Sequence, residues 1–347
     1  MSPTAFITGA CGFIGRYAAL EFARQGWQVV ALAHRSALPP ELAALQARGC
    51  LRVVRGDVTE PASLRPAFIG TPLAAVVHCA GRASDVGWRR EFRRTNLGAV
   101  EALVGLCRES GAGRLVFVST TDVYGLRDFH GESEDELAFD PAPRNPYPRY
   151  KIAAEKHIRT NLPPERYAII RPAAVWGPGD PTLTPRIVAF LRTSPWIIHF
   201  GPWRGRNRWP LAHVRTVAAA LYLAATRPEA AGRAVQVLDS ERTTVDEWYR
   251  LLAGIYLPGK SFRSVSLPRW TGAACGRVIS AVSDALNLQR PFADPSYYAL
   301  QSVSADLDFS NRRLLDLLAA AGSRPVTRDQ GLQELRAAAA EPPRAVS

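Results

Sequence analysis

The chain has 347 residues, 47% of them hydrophobic, and sets 43 Lys and Arg against 31 Asp and Glu for a formal charge of +12. That length accommodates one large or two modest domains with a real core. No uninterrupted apolar run is long enough to cross a bilayer, and the five cysteines (Cys11, Cys50, Cys79, Cys107, Cys275) lack ligand spacing, which argues for a reducing compartment and against a metal centre. The basic residues are dispersed arginines without a dense block. They are expected on solvated faces and near an anionic cofactor, and nucleic acid is not an expected partner. The first strand begins right behind the N-terminus, so a cytoplasmic location is expected.

Ala5-Phe6-Ile7 predicts a short buried strand, and Arg16 to Arg24 a helix. Between them lies Thr8-Gly9-Ala10-Cys11-Gly12-Phe13-Ile14-Gly15, three glycines at a spacing of three. Such a turn needs unusual backbone angles and lets a phosphate come close to the main chain, with the helix-start amides as donors. Gly9, Gly12, Phe13, Ile14 and Gly15 are therefore expected to hold a pyrophosphate. A second strand, Gln28 to Leu32, completes the start of a dinucleotide-binding unit. It ends in Ala33 rather than an acidic residue, with Arg35 just beyond, which favours NADP over NAD; the plainer reading of Arg35 is a solvated loop charge.

A helix through Glu41 to Arg48 leads to a third strand, Leu51 to Val54, and to Gly56-Asp57-Val58-Thr59. Asp57 can accept from an adenine amino group or serve as a local cap. The fourth strand, Ala74 to His78, opens onto Cys79-Ala80-Gly81, small enough for a flat cofactor to lie on the main chain. His78, alone on an apolar strand, is expected to be structural. Arg94 onward predicts a long amphipathic helix to Glu109, with Asn96 near its start. The fifth strand, Arg114 to Val118, is followed by Ser119-Thr120-Thr121-Asp122-Val123-Tyr124-Gly125. Tyr147 and Lys151 sit four apart at the start of a helix, hence on one face, where an ammonium favours the ionised phenol.

These residues resemble the extended short-chain dehydrogenases/reductases, the NAD-dependent epimerase/dehydratase family. The three glycines, Gly56-Asp57-Val58, Ser119-Thr120-Thr121, Tyr147 with Lys151, and Arg171-Pro172-Ala173-Ala174-Val175-Trp176-Gly177-Pro178-Gly179 occur in the family's order over roughly residues 4 to 335. The resemblance implies Tyr147 as general acid/base, Lys151 as its tuner and Thr120 as donor to the reacting oxygen. It implies cofactor contacts at Asp57, Val58, Cys79, Ala80, Gly81, Tyr147, Lys151, Pro172 and Val175. Dehydratases of the family carry two consecutive acids after the threonine; here Thr121 precedes Asp122, so dehydration is not expected. Sugar-nucleotide epimerases usually have asparagine where this chain has Ala174. The segment Ala83-Ser84-Asp85-Val86-Gly87-Trp88 is more similar to the 3β-hydroxysteroid dehydrogenase-like branch.

The implied architecture is α/β: a Rossmann-type doubly wound parallel sheet, residues 1–176 and 210–240, with a smaller discontinuous α/β substrate lobe, 177–209 and 241–335. A frayed tail is expected over 336–347. Arg206-Asn207-Arg208 is expected either at the substrate mouth or as a solvated basic loop. Leu267 to Leu286 predicts a lobe helix, facing a greasy substrate or a membrane surface without spanning it. The implied activity is NADP- or NAD-dependent interconversion of an alcohol and a ketone on a lipophilic small molecule. The alternatives are a nucleotide-sugar epimerase or reductase and a non-catalytic dinucleotide sensor. A homodimer is compatible with the sequence.

Overall fold

The computed structural model describes residues 2–70, 72–293 and 295–340. Its first half alternates strands and helices: β1 (Thr4–Thr8), α1 (Phe13–Arg24), β2 (Gln28–Ala33), α2 (Pro40–Ala47), β3 (Leu51–Arg55), α3 (Pro61–Phe68), β4 (Ala75–His78), α4 (Arg89–Phe92), α5 (Ala99–Ser110), β5 (Arg114–Val118), β6 (Phe129–Glu132), α6 (Pro146–Asn161) and β7 (Tyr167–Pro172). The second half continues with β8 (Ala174–Trp176), α7 (Leu183–Thr193), β9 (Trp196–Phe200), β10 (Leu211–His213), α8 (Val214–Thr226), β11 (Ala234–Val237), α9 (Val245–Tyr256) and β12 (Arg263–Leu267). It ends with α10 (Arg269–Ala285), α11 (Tyr297–Ser304), β13 (Leu307–Phe309), α12 (Arg312–Ala320) and α13 (Arg328–Ala340).

A seven-stranded parallel sheet runs in the order β11-β7-β5-β4-β1-β2-β3. The chain winds outward from β1 in both directions, so a crevice opens at the carboxyl ends of β1 and β4, where dinucleotides bind in such sheets. Both sheet faces are buried, and successive strand residues alternate between them: Ala5 and Ile7 join one core with α1, α2 and α8, while Phe6 joins the other with α3, α5 and α6. The rest of the chain forms three two-stranded parallel sheets, β8 with β10, β9 with β12 and β6 with β13.

Three expectations change. The helix placed at Arg94 to Glu109 starts at Arg89 and passes through a π turn at Arg93–Gly98. One extra residue in that turn puts Asn96 in the core. The helix placed at Leu267 to Leu286 starts at Arg269, because Leu267 ends β12, paired to β9. The tail expected to fray from residue 336 is helical to Ala340, since Leu332 and Leu335 anchor α13 in the core; residues 341–347 lie outside the described ones.

Beneath the ends of β5 and β7 lies a buried ion pair. Arg171 Nε donates to Glu155 Oε1 at 2.9 Å and Nη2 to Oε2 at 2.5 Å, while Ser119 Oγ donates to Glu155 Oε1 at 2.5 Å and Arg171 Nη1 to the Tyr124 hydroxyl at 2.7 Å. Both side chains are almost wholly buried, so removing one partner strands the other charge in a low-dielectric interior. Arg171→Met should lower unfolding free energy by about 3–5 kcal/mol in urea titrations. A loss below about 1 kcal/mol would show that the interior relaxes around the lone carboxylate.

Candidate active site

The turn after β1 is built by close backbone approach. Gly9 has φ of +67°, and a Cβ there would lie 2.7 Å from the Ala80 nitrogen; one on Gly15 would lie 2.1 Å from the Gly9 oxygen. Only glycine allows the β1 turn, the start of α1 and the loop after β4 to meet in this way. Helix α1 has Gly12 as N-cap, no side-chain cap and no acid in its first turn. The first-turn amides of Phe13, Ile14 and Gly15 therefore have neither an intrahelical nor a side-chain acceptor. Uncapped donors at the positive end of a helix, on a crevice floored by main chain, fit a dinucleotide pyrophosphate.

At the far end of this crevice β2 runs out into exposed His34 and Arg35. Arg35 makes no hydrogen bond or ion pair among the described residues. Asp57 Oδ1 accepts from the Thr59 amide and hydroxyl, both at 2.8 Å, and Oδ2 lies 3.4 Å from His34 Nε2. Burial pushes this carboxyl up, but the Thr59 donors outweigh it and hold it below its ordinary range. Val58 follows on the same turn, half-buried against the core. Arg55, which the sequence reading passed over, donates to the Ser36 carbonyl at 3.1 Å and so steadies the loop carrying Arg35.

On the β4 side, His78 Nδ1 lies 2.7 Å from Thr8 Oγ1, and its ring stacks on Phe117. Burial, reinforced by the Lys151 charge, pushes the imidazole down to about 3, which keeps it neutral and structural. The Cys79 thiol, half-buried against the core, is pushed up to about 12 by desolvation and is inert as a nucleophile. Asn96 holds the loop beyond Gly81: its Oδ1 accepts from the Arg82 amide at 2.7 Å and its Nδ2 donates to the Arg82 carbonyl at 3.0 Å. Pro172 closes β7, and Val175 lies in β8 opposite Ala212.

Tyr147 and Lys151 come from the start of α6. Pro146 occupies the first helical turn and Asn145 caps it, its Oδ1 accepting from the Tyr147 amide at 2.7 Å. The same Asn145 donates through Nδ2 to the Asp85 carbonyl at 2.7 Å, fixing the helix start to the loop after β4. Lys151 is buried; its Nζ donates to the Val118 carbonyl at 2.6 Å and lies 5.8 Å from the Tyr147 ring centre. Burial pulls its ammonium down to about 8, against the opposing influence of Cys79 and Glu155.

Against the expectation that the Lys151 ammonium favours the ionised phenol, burial raises the Tyr147 phenol well above its usual value. The Asp122 charge adds to this, while a hydrogen bond to Thr120 pulls the other way. Thr120 Oγ1 accepts from the Asp122 amide at 3.2 Å. Thr120, Tyr147 and Lys151 thus meet in one cluster, with Thr120 and Lys151 buried and Tyr147 half-buried.

The cluster has a member that the sequence reading did not single out. Tyr298, from α11, donates its hydroxyl to Asp122 Oδ2. Burial raises the Asp122 carboxyl, partly offset by the hydrogen bonds from Tyr298 and Thr120. Nothing local to Tyr298 signals this: the contact joins residues 176 apart.

The basic stretch near the expected substrate mouth is spent on lobe structure instead. Arg208 pairs with Asp306 and Asp308, both at 2.5 Å, and Asn207 donates to the Val303 and Ala305 carbonyls. Arg206 alone remains exposed.

Known proteins resemble this chain in sequence and in fold. A 2-alkyl-3-oxoalkanoate reductase of Stenotrophomonas maltophilia is 29% identical over 260 residues, 73% of this chain and 76% of that protein. A dTDP-4-dehydro-6-deoxy-D-allose reductase of a Streptomyces species is 28% identical over 190 residues, 51% of this chain and 57% of that one. The solved epimerase of Methanothermobacter thermautotrophicus shares the fold, with a TM-score of 0.73 at 18% identity over 97% of this chain and 92% of that one. The family model for the NAD dependent epimerase/dehydratase family matches residues 5–237. The chain belongs to that family, and is an NAD(P)-dependent enzyme of the extended short-chain dehydrogenase/reductase type.

Proposed function

We propose that the protein interconverts an alcohol and a ketone on a lipophilic small molecule by hydride transfer with a nicotinamide cofactor. The observation that carries this is the cluster in which Tyr147 and Lys151, one helical turn apart on α6, meet the Thr120 hydroxyl beside the glycine crevice. The bound cofactor would supply or accept the hydride. In the direction of reduction, Tyr147 gives its proton to the oxygen on which negative charge develops, Lys151 stabilises the phenolate left behind, and Thr120 donates to the same oxygen. Gly9, Gly12, Phe13, Ile14 and Gly15 hold the pyrophosphate, with Cys79, Ala80, Gly81, Pro172 and Val175 along the nicotinamide half. Residues 177–209 and 241–335 supply the substrate lobe.

Three observations support a lipophilic substrate over a nucleotide sugar. Ala174 offers no side-chain donor to a diphosphate. Arg208 is neutralised by two aspartates and is not free to grip one. The oxoalkanoate reductase aligns over a larger share of both chains than the sugar-nucleotide reductase does. The latter's similarity is what favours the second reading, a nucleotide-sugar reductase or epimerase. Following reduced-cofactor absorbance against a panel of 3-oxoalkanoates, steroid ketones and other apolar ketones should find turnover. Micromolar calorimetric binding of UDP-glucose or a dTDP-sugar, with no ketone turned over, would establish the second reading instead.

Tyr147→Phe keeps the ring and removes the transferable proton, so turnover should fall by about two to four orders of magnitude while cofactor binding survives, because the glycine turn is untouched. Near wild-type turnover would remove Tyr147 from the chemistry. A lysine pulled down to about 8 is charged below that pH and neutral above it. Reductive kcat/KM should therefore be level below pH 8 and decline above it, and Lys151→Met should lose both the decline and most of the rate. A profile that keeps the same limb in Lys151→Met assigns the titration elsewhere. For the cofactor, we propose NADP, with Arg35 on the 2′-phosphate; Arg35→Ala should weaken NADPH by about 1–3 kcal/mol in fluorescence titrations and leave NADH unchanged. Equal losses for both would return Arg35 to a plain loop charge.

A further inference from the structure

Helix α10 is inverted relative to an ordinary surface helix, which turns its apolar stripe inward and its charges to water. Its buried side consists of Gly272, Gly276 and Ser283. Gly272 packs on Phe200 and Leu300, and Gly276 on the Tyr297 backbone. The outer side carries Trp270, Val278, Val282 and Leu286, which are 72, 62, 41 and 65% exposed, with exposed Ala274, Ala281 and Ala285 among them. At about 100° per residue these positions cover roughly half the helix circumference. The one acid of the helix, Asp284, is occupied by the Gly87 amide at 2.6 Å. An apolar face of this extent, left in water, marks an interaction surface.

The face continues past the helix. The Trp88 amide donates to Asn287 Oδ1 at 3.0 Å and the Phe292 amide to Ser283 Oγ at 3.3 Å, so two further exposed rings, 39 and 57% accessible, flank its C-terminal end. Cations edge it: Arg269 and Arg277 on the helix, Arg290 beyond it, and Arg90, whose guanidinium lies 4.1 Å from the Trp88 ring centre. The neighbouring Glu91 is taken up by Arg82 and Asn287. Exposed rings and aliphatic side chains bordered by arginines, with the nearby acids engaged, complement an interface where acyl chains meet phosphates. A second copy fits less well, because a two-fold contact would bring the same arginines together without opposing acids.

We propose that the α10 face, extended by Trp88 and Phe292, docks the protein peripherally on an anionic membrane surface. The loop from Gly81 to Trp88 is bonded to this face through Ser84 to the Gln289 carbonyl and Arg82 to the Leu288 carbonyl. Docking therefore brings the segment that leads out of the nicotinamide half of the candidate site to the bilayer. The proposal goes beyond the proposed reaction and its test needs no turnover.

The full-length protein is sedimented with vesicles of phosphatidylcholine alone and with about 30% phosphatidylglycerol. It should bind the anionic vesicles, bind the neutral ones far less, and be released by salt. The double variant Val278→Glu/Leu286→Glu should weaken binding by at least about tenfold at an unchanged melting temperature. If its melting curve shifts, Trp270→Ala, which only removes exposed area, decides by a smaller loss of the same sign. No binding to either vesicle, or equal binding by wild type and variants, would overturn the proposal. So would light scattering that shows a dimer dissociated by Val278→Glu, which would assign the face to a second copy.

Discussion

The Glu155–Arg171 ion pair is the constraint on which the candidate site rests. Glu155 lies one turn beyond Lys151 on α6, and Arg171 sits at the end of β7, so their bidentate contact sets the height of α6 over the sheet. Ser119 and Tyr124, on either side of Thr120, are bonded into the same pair. The three side chains proposed for the chemistry are thus held from below by groups that touch no substrate. Isolated, either charge would be strongly unfavourable at this depth; together, with three hydrogen bonds reaching the carboxylate, they act as a rigid mount.

A second set of contacts ties the two halves of the molecule across the site. Asp85, in the loop after β4, pairs with Arg186 at 3.1 Å and accepts from Ser296, while its carbonyl receives Asn145. One loop thereby connects the sheet, the start of the Tyr147 helix and both lobe segments. A displacement of the lobe would be felt at the α6 cap, and so at the start of the helix that carries Tyr147.

Local pattern made much of this legible. The glycine spacing, the apolar strands and the Tyr147/Lys151 interval each report short-range geometry, and the cradle and parallel sheet follow from them. Long-range partners leave no such trace. Tyr298 reaches Asp122 over 176 residues of chain, and Arg208 reaches Asp306 over 98. Charge counting misleads there, since an arginine captured by two carboxylates reads in sequence like a free one. The π turn at Arg93–Gly98 was also hidden, because a single extra residue in a helix leaves the apolar rhythm almost intact. Helix α10 was recognisable as an apolar helix, but which side faces water depends on two glycines packing against α11 and β9.

The Asp122–Tyr298 contact also orders events in time. Synthesis delivers the glycine turn, Thr120, Tyr147, Lys151 and the Glu155–Arg171 mount well before α11 exists. At typical elongation rates the interval is on the order of ten seconds. Throughout it Asp122 lacks the hydroxyl that α11 supplies. A quality-control protease meeting the polypeptide then would see an open, incompletely satisfied cavity. Arrival of α11 closes that window, so C-terminal truncations ahead of Tyr298 belong to a different class from those beyond α13, with clearance rather than slow turnover as their main outcome.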